Sequence, residues 1–142
     1  MRSDKPQPSF PESIDVVIQV PRGGFIKWDD HGIIDFVSPL PSPFNYGSVP
    51  NTLSGDGDRE DALVLGPRLP RGTRITLRVV ARVSFIDAGQ QDPKWVCSKA
   101  ALTWPQRISL IAFFVFYANA KSVLNRLRNK PGETRFVAFE EG

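Results

Sequence analysis

A single cysteine, Cys97, in 142 residues rules out an internal disulfide, so nothing staples this chain covalently. No His or second Cys stands at metal-ligand spacing from it, and an inert buried thiol is the expectation. Histidine is equally scarce: His31 is alone, in a turn, where solvent is the expected neighbour. No charged-then-apolar leader opens the sequence, and with the lone thiol this points to a reducing, cytoplasmic setting. A long apolar run is missing too. The stretch Ile108 to Ala118 is too short to span a bilayer, so it reads as a buried helix and no membrane partner is expected. Nor does one sign of charge dominate, since 18 Lys+Arg face 15 Asp+Glu, a balance that admits small anions as readily as nucleic acid. No internal repeat is present.

What is present suffices for one domain with its own core: 41% of residues are hydrophobic in a chain of this length. Residues 1–13 are proline-rich and polar and read as a loosely held arm, and 14–142 as the single folded domain. The β-branched run Ile14 to Val20 stops at Pro21-Arg22-Gly23-Gly24, as a strand meeting a turn does. Phe25 to Trp28 and Ile33 to Val37 flank Asp29-Asp30-His31-Gly32, a hairpin with suitable turn chemistry. Ser38 to Pro50 holds four prolines and reads as an irregular loop rather than a strand. Beyond a strand over Ala62 to Leu65, Ile75, Leu77, Val79, Ala81, Val83 and Phe85 alternate with residues that are mostly polar. That is the pattern of a long half-buried strand. Thr103-Trp104-Pro105-Gln106 carries a cap, an early proline and a capping-box glutamine. From there Leu110, Phe113, Phe114, Tyr117, Ala120, Leu124 and Leu127 recur at helical spacing to about Arg128 and predict one packing face. Thr134 to Phe139 returns as a last strand. The elements sum to a mainly β (α+β) fold: a small closed five-stranded antiparallel barrel with a C-terminal helix packed on it.

The chemistry concentrates in two acidic loops. In Asp56-Gly57-Asp58-Arg59-Glu60-Asp61 four carboxylates crowd into six residues, and their repulsion asks for a cation. Gly55 and Gly57 allow the sharp turn that brings Asp56 and Asp58 together, and oxygen-only ligands suit magnesium. An EF-hand is excluded, because its sixth and twelfth positions would be Asp61 and Pro67. The second loop, Asp87 to Lys94, adds Asp87 and Asp92 at another strand end. A barrel can bring such ends to one rim, where Lys27, Lys94, Tyr46 and Tyr117 can join them. Metals held by carboxylates opposite lysine and tyrosine donors are equipment for phosphoryl transfer. Tyr117 lies on the buried helix face, which fits packing as well as substrate contact.

These residues resemble the soluble family I inorganic pyrophosphatases. The resemblance runs from Ile14 to Lys94 and resumes at the helix around Phe113-Phe114-Val115-Phe116-Tyr117. It rests on Asp56-Gly57-Asp58-Arg59-Glu60-Asp61 as the family's D-G-D-x-x-D motif. Val17-Ile18-Gln19-Val20-Pro21, Ile26-Lys27-Trp28-Asp29, Phe44-Asn45-Tyr46-Gly47 and the Asp87/Asp92/Lys94 spacing follow the family's order. The resemblance implies an oligonucleotide-binding-type barrel, a homo-oligomer, that hydrolyses pyrophosphate to two phosphates with several Mg2+ ions. It implies Asp56, Asp61 and Asp92 at the tightest metal, Asp61 also bridging to a second, Asp87 and Asp92 at a further one, and Asp29 where the family has a metal-reaching glutamate. Asp58 looks like the acceptor of the proton of the metal-bridging water. Lys27, Tyr46, Lys94 and Tyr117 look like the groups that bind pyrophosphate and phosphate.

The chain departs from the family pattern at Gln19 for a glutamate, Phe36 for an arginine, Ser42 for a tyrosine and Ala118 for a lysine. Arg22, Arg74 and Arg78 are the candidates to replace the lost positive charge. Two readings follow, an active pyrophosphatase and a catalytically impaired relative that binds metal or pyrophosphate in a regulatory or structural role. A nucleic-acid-binding barrel ranks well behind both, because rim carboxylates repel a phosphate backbone and basic residues are not interleaved with aromatics along a strand.

Overall fold

The computed structural model describes residues 11–24, 26–28, 34–37, 42–50 and 60–141, with the backbone alone at 26–28 and 34–37. Most of the arm assigned to 1–13 lies outside these residues, and the first strand begins at its end. In chain order the elements are β1 (Ser13–Val20), β2 (Ile26–Trp28), β3 (Ile34–Val37), β4 (Asn45–Ser48), β5 (Asp61–Val64), β6 (Arg74–Asp87), β7 (Gln90–Gln91), β8 (Lys94–Cys97), α1 (Trp104–Leu127) and β9 (Arg135–Glu141).

Strands β1, β4, β5, β8 and β6 pair in that order, and β6 pairs back onto β1, so they close into a ring. The expectation of antiparallel pairing throughout needs one correction: β5 and β8 run parallel, Asp61 opposite Lys94 and Val64 opposite Cys97. Parity requires this. Strand direction cannot alternate all the way round a closed ring with an odd number of strands, so at least one neighbouring pair must agree. The hairpin expected from the second and third strand signals forms as β2 and β3, with Lys27 opposite Phe36; its tip, with Asp29 and His31, lies outside the described residues.

Strand β4 corrects the reading of 38–50 as a strandless loop. Asn45 to Ser48 are all buried between β1 and β5. Two side-chain features admit a strand there. Gly47 lies so close to β1 that a Cβ would overlap the Val17 carbonyl oxygen and come within 2.6 Å of Val16 Cγ1. Asn45 ties the strand to the neighbouring turns: its Oδ1 accepts from the N–H groups of Arg22 and Leu69, both at 2.9 Å, and its Nδ2 donates to the carbonyls of Val64 at 3.2 Å and Pro67 at 2.9 Å. Each such bond is worth roughly 1 kcal/mol net, and far more is lost if its buried partner is left unpaired.

The apolar alternation of β6 serves two cores. A register shift between Val79 and Ala81 opposite β8 turns the strand face over. Leu77 and Val79 therefore join Val16, Ile18, Ala62, Val64 and Cys97, whereas Ala81, Val83 and Phe85 join Tyr46, Leu63, Val96 and the helix. Helix α1 starts as read, with Thr103 Oγ1 accepting from the Gln106 N–H and the Gln106 side chain accepting from the Thr103 N–H. Such a cap contributes about 1 kcal/mol. Leu110, Phe114 and Tyr117 are buried on the expected face, with Phe113, Ala120 and Leu124 partly buried beside them. Leu127 departs from that expectation at 77% exposure. Its place in the last turn is taken by Asn125, whose amide meets Asp87 and Thr134 instead. Strand β9 pairs with β6, and Arg82 and Ser84 hydrogen-bond Glu140 across that pair. The Ser84 hydroxyl and the Arg82 guanidinium hold the Glu140 carboxyl below its ordinary pKa. By length and composition alone α1 is also long and apolar enough to cross a membrane. The eleven-residue run read from the sequence understates it, because Ala120, Val123 and Leu124 extend the apolar character.

Candidate active site at the ring and helix rim

Parity along the strands puts a set of polar side chains among the helix-side apolar residues. Asp61 opens β5 on the face that carries Leu63, and Lys94 opens β8 on the face that carries Val96; the two are register partners. Lys94 has no solvent exposure. Its ammonium donates to Asp61 Oδ2 at 2.8 Å and to Asp92 Oδ2 at 2.9 Å. The Tyr46 hydroxyl donates to the same Asp61 oxygen at 2.7 Å. The ammonium also lies 5.8 Å from the Tyr46 ring centroid and 5.6 Å from that of Phe85. Burial works to lower the Lys94 pKa, but Asp61 and Asp92, followed by Tyr46 and Tyr117, more than offset it and hold the group well above an ordinary lysine. Lys94 is thus held in its charged form between two buried carboxylates.

A second polar group forms where β6 ends against the last turns of α1. Asn125 Nδ2 donates to Asp87 Oδ1 at 2.7 Å and to Thr134 Oγ1 at 2.9 Å. Lys121, only 3% exposed, brings its ammonium to 3.9 Å from Asp87 Oδ2. Tyr117, one helical turn before Lys121, has its ring centroid 5.5 Å from that of Phe85.

The fold therefore brings Asp61, Asp92, Lys94, Tyr46 and Tyr117 into one buried region and turns Asp87 toward Asn125 and Lys121. Asp29, Asp56 and Asp58 lie outside the described residues, as does the side chain of Lys27. The acidic loop nonetheless leaves and rejoins the ring at this rim, since Ser48 pairs with Asp61 and the Val49 N–H donates to the Glu60 carbonyl. Among the described residues no three His, Cys, Asp or Glu side chains converge as a complete metal site. The donors that do converge, Asp61 and Asp92, are oxygen-only, buried, and already arranged around a cation, which fits a hard divalent ion.

The departures resolve unevenly. Ser42 is buried and gives its hydroxyl to the Phe44 carbonyl at 2.6 Å, and Ala118 packs in the helix-side core. Gln19 keeps a buried Oε1 with no hydrogen-bond partner, and the side chain of Phe36 is outside the described residues. Among the described residues, none of the three arginines proposed as replacements contacts the site. Arg22 is exposed and bonds the Gly66 carbonyl at 3.1 Å, and Arg74 and Arg78 are exposed on β6. The residues missed from sequence are Lys121 and Asn125. The signal was there: Lys121 stands four places after Tyr117, on the stripe read as apolar.

A closed ring of five strands under one helix, with lysines, tyrosines and carboxylates gathered at their junction, defines an oligonucleotide-binding-type fold carrying an ionic site. The inorganic pyrophosphatase family model matches residues 16–115. An inorganic pyrophosphatase of Gluconobacter oxydans is 35% identical over 109 residues, covering 71% of this chain, and that of Saccharolobus solfataricus is 31% identical over 133 residues, covering 88% of this chain and 73% of that protein. The crystal structure of the Thermus thermophilus inorganic pyrophosphatase superimposes with a TM-score of 0.72 at 27% identity, over 92% of this chain and 83% of that one. The chain belongs to the inorganic pyrophosphatase family. It spans 63% of the length of the Gluconobacter oxydans relative.

Proposed function

We propose that this protein hydrolyses inorganic pyrophosphate to two phosphates with magnesium as cofactor. The observation that carries the reading is the Lys94 ammonium held between Asp61 and Asp92 beneath Tyr46. Asp61 and Asp92, with Asp56 of the adjoining loop, are the residues to hold the metal, and Asp87 and Asp29 are the remaining candidates. When bound, magnesium neutralises phosphate oxygens and makes water acidic enough to yield a nucleophile near neutral pH. The chain's own part is orientation and charge. Tyr46 fixes the Asp61 carboxylate by donating to it, and Lys94 and Lys27 supply cations toward an anionic substrate. Tyr117 offers a phenol from the helix, and Asp58 is the residue to accept the proton of the attacking water. Burial of Asp61, Asp92, Lys94, Tyr46 and Tyr117 strengthens their interactions relative to open water.

The test is phosphate release from pyrophosphate by the purified chain, with magnesium titrated and Asp61→Ala alongside. Release that requires magnesium and falls at least about a hundredfold in the variant is expected, because an interaction worth roughly 3 kcal/mol is removed. Release indifferent to Asp61 would sink the assignment.

A second reading, an impaired relative that retains metal or pyrophosphate binding, draws on Ser42 and Ala118, which turn into the protein and offer the site no donor. A Phe36→Arg, Ala118→Lys double variant separates the two: a large gain in rate supports impairment, and a parent already as fast removes its basis. Homo-oligomeric assembly belongs to the same proposal and is supported by the exposed apolar stripe Trp104, Ile108, Ile111 and Val115 on α1. The buried free thiol of Cys97 supports a reducing, cytoplasmic setting.

A further inference from the structure

Lys121 is an unusual residue for its place. A lysine 97% removed from solvent gives up the hydration of an ammonium, a cost that packing alone does not recover. On the buried helix stripe it follows Leu110, Phe114, Tyr117 and Ala118, where an apolar residue would serve packing better, and precedes the polar Asn125. Its near carboxylate, Asp87 Oδ2, lies at 3.9 Å, looser than the 2.8 and 2.9 Å contacts of Lys94. Asp87 meanwhile takes the Asn125 amide at 2.7 Å.

Position relates Lys121 to the site. Along β6 the side chains of Phe85 and Asp87 follow one another on one face, and along α1 Tyr117 and Lys121 follow one another a turn apart. These two steps are of similar length, about 6 to 7 Å. The Phe85–Tyr117 ring contact is thus succeeded by the Asp87–Lys121 ion pair. Tyr117 is near enough to Lys94 to raise its pKa. The short hairpin of β6 and β7 joins the pairs covalently, Asp87 at one end and Asp92, bound to Lys94, just past the other. Lys94 and Lys121 are therefore two buried ammonium groups, each beside a carboxylate of the β6–β7 hairpin, with Tyr117 near Lys94 and one helical turn before Lys121.

We propose that Lys121 is a substrate-binding residue of this site, giving its ammonium to phosphate oxygens of the phosphoanhydride and restoring from the helix the cation that Ala118 does not provide. The assignment rests on the pyrophosphatase reading and names a further residue of the same site.

The test uses the full chain, with imidodiphosphate, a hydrolysis-resistant diphosphate, and magnesium. Lys121→Met is expected to bind it about tenfold to a hundredfold more weakly by calorimetry, the loss of one charge-assisted contact, while Lys121→Arg recovers most of the affinity. A structural role alone would lower the melting temperature of Lys121→Met and leave the affinity within about twofold of the parent, which would overturn the proposal. Should Lys121→Met not fold, the side-chain 15N signal of Lys121 in the parent, assigned by its absence in Lys121→Arg, decides the matter. Its shift on adding imidodiphosphate supports the contact, and an unmoved signal refutes it. A parent that neither binds imidodiphosphate nor releases phosphate from pyrophosphate refutes the pyrophosphatase reading, and the Lys121 assignment with it. A parent that does both while Lys121→Met binds equally well refutes the Lys121 assignment alone.

Discussion

Replacing Lys94 by Met probes the centre of the site without altering a carboxylate. The ammonium has no solvent exposure and lies 2.8 and 2.9 Å from Asp61 and Asp92, whose side chains are 9% and 8% exposed. Removing it leaves two buried carboxylates roughly 5 Å apart. At an effective dielectric of about 20, their repulsion comes to about 3 kcal/mol. Breaking buried ion pairs from one side costs about 3–5 kcal/mol, in the same range. For a chain of this size that lowers the melting temperature by about 10 °C or more. Thermal unfolding followed by circular dichroism in EDTA measures it. Magnesium is then expected to raise the melting temperature of Lys94→Met by more than that of the parent, since the divalent ion no longer competes with a resident ammonium for Asp61 and Asp92. A variant within about 2 °C of the parent in EDTA would refute the account of Lys94 as the cation that stabilises the metal-free site. A melting temperature indifferent to magnesium would refute the account of the two aspartates as its ligands.

Three further outcomes follow from the packing. Gly47→Ala is expected to destabilise the fold by more than about 2 kcal/mol, because the added Cβ meets the Val17 carbonyl and Val16 Cγ1 of β1; urea unfolding checks it, and a shift under about 0.5 kcal/mol would contradict the close approach. Burial pushes the Cys97 thiol up to about 12. The unfolded chain therefore loses that proton first, and stability falls by about 1.4 kcal/mol per unit as pH rises from about 9 toward 12. Denaturant titrations of the parent and Cys97→Ala at pH 8 and 10 test this, and equal slopes for the two would refute it. Ile108→Glu, at a position 56% exposed in the apolar stripe of α1, is expected to dissociate the proposed homo-oligomer with little change in monomer stability. Sedimentation velocity reports it, and unchanged sedimentation would exclude this face as the contact.

Much of this protein was legible in the order of its residues. The β-branched run of β1, the alternation along β6 and the capping box at Thr103 each express a local preference that the tertiary fold had no cause to override. Asp61, Asp92 and Lys94 were legible as a group because strand ends in a closed ring return to one rim, and the register pairing of Asp61 with Lys94, which also bonds Asp92, is the physical form of that expectation. Strand β4 was hidden, since its evidence is long-range: prolines nearby mark a loop, while Gly47 and Asn45 show their purpose only against β1 and the turns at Arg22 and Leu69.

Sequence by itself determined the types of the long elements β1, β6 and α1, the two acidic stretches and the identity of the ionisable groups, because these depend on backbone preference and chemistry carried by each residue. Tertiary structure alone decided which groups share a partner. It closed an odd number of strands and so forced β5 and β8 parallel. It turned β6 over at Val79 so that one apolar stripe feeds two cores, and it gave Asp87 the helix residues Asn125 and Lys121 as partners. It also buried Lys121 beside Tyr117. Each of these is a matter of distance between residues far apart in the chain, and only the packing of helix on ring sets such distances.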